Sequence, residues 1–270
     1  MNDALAQPPG ARRQSGAEPG EEPGEEPGAE PGANVVRYAL PLVVRLERAT
    51  PPARTDALVA AARAVLELLA DERASGDGEW AAAVRLWEER GIRKVVRRAR
   101  GAEWRRAEAL AELTVCEGTA SVRVFPPVPL DGWPRDLARL QVSGTELTDP
   151  EAESESGSGP WKPGPEGSEP SAAAGGGTPV LWLNPGLEMS AGKAMAQAAH
   201  GAQLAWWELP ARERARWRDA GFALAVRTAP DDRTWAELVE SGLPVVRDAG
   251  FTEIAPGSCT VVADHPALRR

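Results

Sequence analysis

Trp87-Glu-Glu-Arg-Gly91-Ile-Arg-Lys-Val-Val96-Arg97-Arg-Ala99 returns 130 residues later as Trp217-Arg-Asp-Ala-Gly221-Phe-Ala-Leu-Ala-Val226-Arg227-Thr-Ala229. Tryptophan, glycine, Val-Arg and alanine coincide at a constant offset, and Trp104 and Trp235 follow one residue out of step. Each stretch reads as a helix end, a C-cap glycine and a strand. Working outward, each is followed by a helix (RRAEALAEL; RTWAELVES) and then by a strand ending near a proline (SVRVFPP; CTVVADHP). Each is also preceded by a short apolar run, LPLVV at 40–44 or TPVLWL at 178–183, and by an alanine-rich helix. Those runs fit buried strands. The helix after the first is expected to take Thr55 or Asp56 as its N-cap; the helix after the second starts at Ser190. The reading is an α/β fold present twice as a tandem pseudo-duplicate. The four tryptophans are expected in its core.

Two segments interrupt this pattern. Residues 17–32 form an acidic Pro/Gly repeat of period four, and residues 148–177 are again rich in Pro, Gly and Ser. Neither has apolar groups to bury. Residues 1–34 carry two basic against seven acidic side chains and 148–177 one against six, so most of the net −9 resides there. The expected organisation is a disordered acidic tail (1–34), an α/β domain (35–147), a disordered linker (148–177) and a second α/β domain (178–270). Two cysteines and two histidines are too few for a disulfide scaffold, a thiolate zinc site or a histidine-rich metal centre. No run reaches the roughly 18 apolar residues of a membrane helix, and the first residues lack a signal-peptide core. A cytoplasmic protein with no membrane partner and no cofactor is expected.

The copies diverge where chemistry would sit. Lys193, Gln197 and His200 follow Ser190 at i, i+4 and i+7 spacing and share one helix face. That face begins where free backbone N–H groups and the helix dipole favour an anion. The chain has three lysines, Lys94, Lys162 and Lys193, against 28 arginines. A lysine kept under that bias is either one that arginine cannot replace or an exposed helix-terminal residue. Gly192-Lys193 is not a phosphate loop, because the earlier glycine is misplaced and Ala194 stands at the hydroxyl position. Further on, Pro-Val-Val-Arg ends at Asp248, followed by a glycine-punctuated loop with Thr252 and Ser258 and then a strand. Such a loop at a strand's carboxyl end suits a site, although Asp248 could equally cap a turn. The first copy has the shorter TVCEGTASVRV there, with Glu117 nearest to Asp248.

The pattern MSxGKxxAQxxH, then WxxxG…VR, then GLPxxxxxDAGxTxIAPGSxTV resembles the archaeal/eukaryotic-type (second type) peptidyl-tRNA hydrolase family, over residues 179 to about 266. The resemblance implies a mixed four-stranded sheet flanked by helices and metal-independent hydrolysis of the ester joining peptide to tRNA. It puts the catalytic residues at Lys193, Asp248 and Thr252, and substrate-binding residues at Gln197, His200 and Ser258; Asn184, after the preceding strand, joins them. The family's usual basic residues are replaced by Ala191 and Phe251, and its glutamine by Glu253, which removes positive charge. The first copy lacks the catalytic groups and is expected to be silent. Its basic cluster, including Arg93, Lys94, Arg97 and Arg98, is either a tRNA-backbone contact or a solvated surface interleaved with glutamates. Helix and lysine together are expected to hold a phosphate or the developing oxyanion. His200 is expected to be a hydrogen-bonding residue rather than the base, and Thr252 a holder of water. A non-catalytic tRNA- or protein-binding module and an esterase for smaller substrates are the competing functions. The linker length permits the copies to pack as a pseudo-dimer.

Overall fold

A computed structural model describes residues 36–110, 113–150, 177–250 and 252–269; the expected tail and most of the expected linker lie outside them. The first half runs β1 (Tyr38–Arg45), α1 (Arg54–Ala70), α2 (Ala81–Glu89), β2 (Lys94–Ala99), α3 (Gly101–Glu108), β3 (Leu113–Glu117), β4 (Ala120–Val124), β5 (Val128–Pro129) and α4 (Arg135–Ala138). The second runs β6 (Val180–Leu183), α5 (Ala191–Glu208), α6 (Ala211–Asp219), β7 (Ala225–Thr228), α7 (Asp232–Glu240), β8 (Val245–Arg247) and β9 (Cys259–Asp264). The chain is thus α/β with two mixed sheets. Their strand orders are β2-β1-β4-β3 and β7-β6-β9-β8, the first pair parallel and the others antiparallel in each. The second sheet has the expected four strands. The first has five, because the short β5 also pairs with β1 at Tyr38 and Ala39.

The repeated tryptophans do the same work twice. Trp87 and Trp217 are buried, and their indole N–H groups donate to the carbonyls six residues on, Arg93 at 2.8 Å and Ala223 at 3.0 Å. Each ends its helix on a glycine at positive φ, +98° at Gly91 and +65° at Gly221, where a side chain would be strained. The next residue then donates back to the tryptophan carbonyl: Ile92 at 3.1 Å, Phe222 at 2.9 Å. Trp104 and Trp235 are also buried, beneath the outer faces of the sheets.

Helices α1 and α5 lie between the sheets and against each other. Both are rich in buried alanines, Ala57, Ala60, Ala61, Ala62 and Ala64 on one and Ala191, Ala194, Ala196, Ala198, Ala199, Ala202 and Ala205 on the other, and they share one apolar core. The packing is reciprocal: α5 also rests on β2 of the first sheet, and α1 on β7 of the second. Being covered on several sides explains why both helices are apolar over most of their circumference. Ser190 caps α5 as expected, accepting from Lys193 N at 3.2 Å. The cap expected for α1 is corrected. That helix begins at Arg54 after Ala53, and its amides are satisfied from afar: Ala53 N by Thr119 Oγ1 at 2.7 Å and Thr55 N by Asp149 Oδ1 at 2.7 Å. Asp56 instead accepts from the backbone and hydroxyl of Thr119. Thr148 and Asp149 are therefore anchored on α1, inside what the sequence marked as linker.

Where α5 meets its own sheet, a methyl group at Gly201 would sit 2.7 Å from Cγ1 of the fully buried Val261. Overpacking of this kind costs about 1–3 kcal/mol, against about 1 kcal/mol gained from alanine's helix propensity. Gly201→Ala should therefore lower stability by about 1 kcal/mol in urea unfolding. In a Val261→Ala background, where the obstructing methyls are gone, the same change should become neutral or stabilising.

Candidate functional site

The residues singled out on α5 and after β8 converge. Lys193 Nζ lies 2.6 Å from Asp248 Oδ2, the two side chains being only 9% and 8% exposed. The same ammonium reaches Thr252 Oγ1 at 3.3 Å and its carbonyl at 3.4 Å. Gln197 Nε2 donates to Asp248 Oδ2 at 2.7 Å, and its Oε1 accepts from the hydroxyl of Thr260 at 2.6 Å. The other carboxylate oxygen accepts from Gly250 N at 2.8 Å. The carboxylate is thereby held from three directions. Thr260, a fully buried threonine on β9, fixes the flip of the glutamine amide. Sequence reasoning passed over it; the signal was a hydroxyl in a run, Cys259 to Ala263, that is otherwise apolar.

This constellation lines a cavity of about 890 Å³ between the two halves. One wall is the α5 face, with Ser190, Lys193, Gln197, His200 and Leu204, together with residues 246–249, 252 and 253. The opposite wall belongs to the first half: Gly91 through Arg97, with Leu130, Asp131, Trp133, Ala138 and Val142. Arg93, Lys94, Arg97, Lys193 and Arg247 outnumber Asp131, Asp248 and Glu253 along this lining. The cavity is thus biased positive in a chain of net charge −9, a field that favours an anionic guest.

The structure sorts the remaining expected site residues differently. Asn184 is not in the cavity lining; it donates to the carbonyl of Cys259 at 2.9 Å and accepts from Gly186 N at 2.8 Å, which shapes a turn. Ser258 is also outside the lining, and its carbonyl accepts from Asp248 N. Lys94 is not a surface phosphate contact: it is buried and bonds to His200 and Gln203 across the cleft. Arg97 stacks over Trp133, 4.4 Å from its centroid, and donates to the carbonyls of Ala138 and Leu140. Arg98 is outside the lining, bonded to Gln141 and to the carbonyl of Ser143. Arg93 lines the cavity. His200 is held well below the usual imidazole range, by burial and then by the charges of Lys94 and Lys193.

The start of α5 is more occupied than expected. Two of its first amides, and that of its N-cap residue, already have protein partners. Gly192 N donates to the hydroxyl of Thr145 at 3.0 Å, Lys193 N to Ser190, and Ser190 N to Glu253 Oε2 at 3.0 Å. Thr145 is buried, and a methyl at Gly192 would fall 2.7 Å from its oxygen. Glu253 also accepts from the Ser190 hydroxyl, so the residue in place of the family's glutamine closes the loop onto the helix. Ala191 is buried, and Phe251 lies outside the described residues.

Comparison with known proteins matches this half to a family. The model for peptidyl-tRNA hydrolase PTH2 covers residues 178–270. The peptidyl-tRNA hydrolase of Thermococcus onnurineus is 36% identical over 98 residues, spanning 33% of this chain and 82% of that protein. The chain belongs to the peptidyl-tRNA hydrolase PTH2 family. The peptidyl-tRNA hydrolase of Haloquadratum walsbyi is 34% identical over 86 residues, spanning 30% of this chain and 77% of that protein. Peptidyl-tRNA hydrolase 2, mitochondrial, from Bos taurus is 36% identical over 96 residues, spanning 32% of this chain and 54% of that protein. The chain therefore covers about half the length of this mitochondrial relative. Residues 36–150 of this PTH2 member fall outside the matched region, and they supply one whole wall of the cavity. Among the described residues, no helix is long and apolar enough to cross a membrane.

Removing one partner of a buried ion pair leaves the other charge uncompensated, which costs about 3–5 kcal/mol. Lys193→Met and Asp248→Asn should each lower stability by an amount of that order, about 3 kcal/mol. The double variant should lose clearly less than the sum. A urea-denaturation cycle of the four proteins measures the coupling.

Proposed function

We propose that the protein hydrolyses the ester between peptide and tRNA in peptidyl-tRNA, releasing free tRNA, without a metal. The observation that carries this reading is the buried Lys193–Asp248 pair facing a positively biased cavity, in a half that matches PTH2. Asp248, already accepting from Gln197 and Gly250, acts chiefly to hold Lys193. The Lys193 ammonium, pointed past Asp248 towards Thr252, stabilises the oxyanion that forms when water attacks the ester carbon. Thr252 accepts from Lys193, and its hydroxyl positions that water. The acyl–oxygen bond then breaks and the ribose oxygen leaves with the proton given up by the attacking water. Thr252 has no base beside it among the described residues, which argues against a covalent acyl-enzyme. Gln197 orients the carboxylate, and His200 contributes an uncharged hydrogen-bonding group.

On this reading residues 35–147 are a degenerate copy of the hydrolase domain, and the two copies form a pseudo-dimer within one chain. The matching strand orders, the paired Trp87 and Trp217 and the reciprocal packing of α1 and α5 support it. The first copy keeps an ion pair where the second has its site, Arg63 to Glu117 at 2.5 Å, but a two-residue turn replaces the 248–258 loop. Residues 1–34 then serve as an acidic tail and the segment before 178 as a linker, and we take the setting to be cytoplasmic. A non-catalytic tRNA-binding or protein-interaction module is the second reading, favoured by the protein groups that occupy the first amides of α5.

The test is release of free peptide from an N-blocked aminoacyl-tRNA by the full chain. Turnover that falls at least a hundredfold, about the contribution of one preorganised group, in both Lys193→Ala and Asp248→Asn is the expected result. Absence of turnover by the wild type, with salt-sensitive tRNA binding retained, overturns hydrolysis in favour of the binder.

A further inference from the structure

Lys94 is the first residue of β2, outside the residues 178–270 that the family model covers, yet its side chain crosses the cleft to α5. The residue is 7% exposed. Its ammonium lies 2.5 Å from Gln203 Oε1, 3.1 Å from His200 Nδ1 and 3.5 Å from the carbonyl of Ile92, so three hydrogens meet three acceptors. The Trp87 ring centroid is 4.9 Å away. Among the described residues no carboxylate forms an ion pair with it. Burial pushes the Lys94 ammonium well below the usual lysine range, opposed only by Glu88 at longer range, and that carboxylate accepts from Trp207. Stability does not call for such a cation, since an apolar side chain of similar length would avoid the cost of dehydrating it. Gln203 is turned so that its oxygen meets Lys94, while its own N–H₂ has no partner among the described residues. The arrangement serves something other than packing, and the group it points at is His200.

We propose that Lys94 is a positioning residue: by donating to Nδ1 of His200 it fixes the imidazole as the tautomer protonated on Nε2, which presents an N–H to an oxygen of the substrate's ester or ribose. The inference rests on the hydrolase reading for the identity of that oxygen. His200 follows Lys193 by seven residues on the same helix face and lines the same cavity. Its Nδ1 is taken by Lys94, and Nε2 has no partner among the described residues, so Nε2 is the nitrogen left for a guest. In its protonated form Lys94 has no lone pair, which makes Nδ1 the acceptor and leaves the proton on Nε2; the other two N–H groups meet acceptor-only oxygens of Gln203 and Ile92. The charged groups that face His200 are Lys94 and Lys193, both cations, and with burial they keep it neutral. It is then a donor rather than a base. The first half, though it lacks the catalytic residues, thereby completes the site of the second.

The test uses Lys94→Met in the full chain, followed by imidazole ¹⁵N resonances and by hydrolysis of N-blocked aminoacyl-tRNA. There are only two histidines, and His265 has its own signature because its Nδ1 accepts from Ala267 N. In the wild type His200 should be an Nε2–H tautomer that stays neutral well below the pH at which an ordinary imidazole charges. In Lys94→Met the tautomers should mix and the titration midpoint should rise, since one repelling charge is gone. The value of kcat/KM should fall about tenfold, the worth of one hydrogen bond to a fixed group, and acquire an acid limb at the new His200 midpoint. In a His200→Ala background Lys94→Met should cost nothing further. An unchanged urea midpoint for Lys94→Met shows that folding is not the cause. A His200 tautomer and titration that do not respond to Lys94→Met, or losses that simply add in the double variant, would overturn the proposal. If the wild type hydrolyses nothing while the tautomer still depends on Lys94, the hydrolase reading falls and the Lys94–His200 pairing stands.

Discussion

The contact between the alanine-rich helices α1 and α5 is the constraint on which the rest of this molecule depends. An α-helix that buries several sides at once cannot carry large residues on all of them, because neighbouring backbones and sheets would be pushed apart. Alanine solves this with the best helix propensity and no side-chain entropy to lose. The close approach has two consequences. It merges the cores of the halves into one apolar cluster, and it brings β2 of the first half to the face of α5 that carries Lys193, Gln197 and His200. A cavity lined from both sides follows from that crossing.

The segment around residues 145–149 exploits the same geometry. Thr145 caps the start of α5, while Thr148 and Asp149 cap the start of α1. A short run of chain thus satisfies amides at both helix origins, which would otherwise be left without partners. The cost falls on anion binding. A helix origin with most of its amides already bonded offers less to a phosphate, so recognition of a polyanion falls more heavily on side chains. The positive bias of the cavity lining is the compensation, and three of its five cations, Arg93, Lys94 and Arg97, come from the first half.

What was legible in the sequence was what is local or repeated. The tryptophan–glycine spacing announced two α/β units, because helix end, C-cap and strand are set within a dozen residues. Ser190 announced its own helix, since a cap acts over three residues. The family motif brought Lys193, Gln197, Asp248 and Thr252 together correctly. What failed was non-local. The caps of α1 come from Thr119 and Asp149, 66 and 94 residues away along the chain. Asn184 looked like a site residue because it follows a strand, yet both ends of its amide are spent on backbone. Lys94 sat in an arginine-rich run and read as surface; only the helix packing reveals that its strand faces α5.

That last error follows from treating basic residues as interchangeable charge. Arginine outnumbers lysine 28 to three in this chain, yet both lysines among the described residues line the cavity. At each, the acceptors diverge from a point: Asp248 Oδ2 and both oxygens of Thr252 around Lys193, and Gln203, His200 and Ile92 around Lys94. A tetrahedral ammonium serves acceptors arranged in this way. A guanidinium, with its donors confined to a plane, does not, and it adds bulk that a site between packed helices and strands cannot absorb. The scarcity of lysine was thus the one feature of bulk composition that pointed at the site, and it did so through donor geometry rather than through charge.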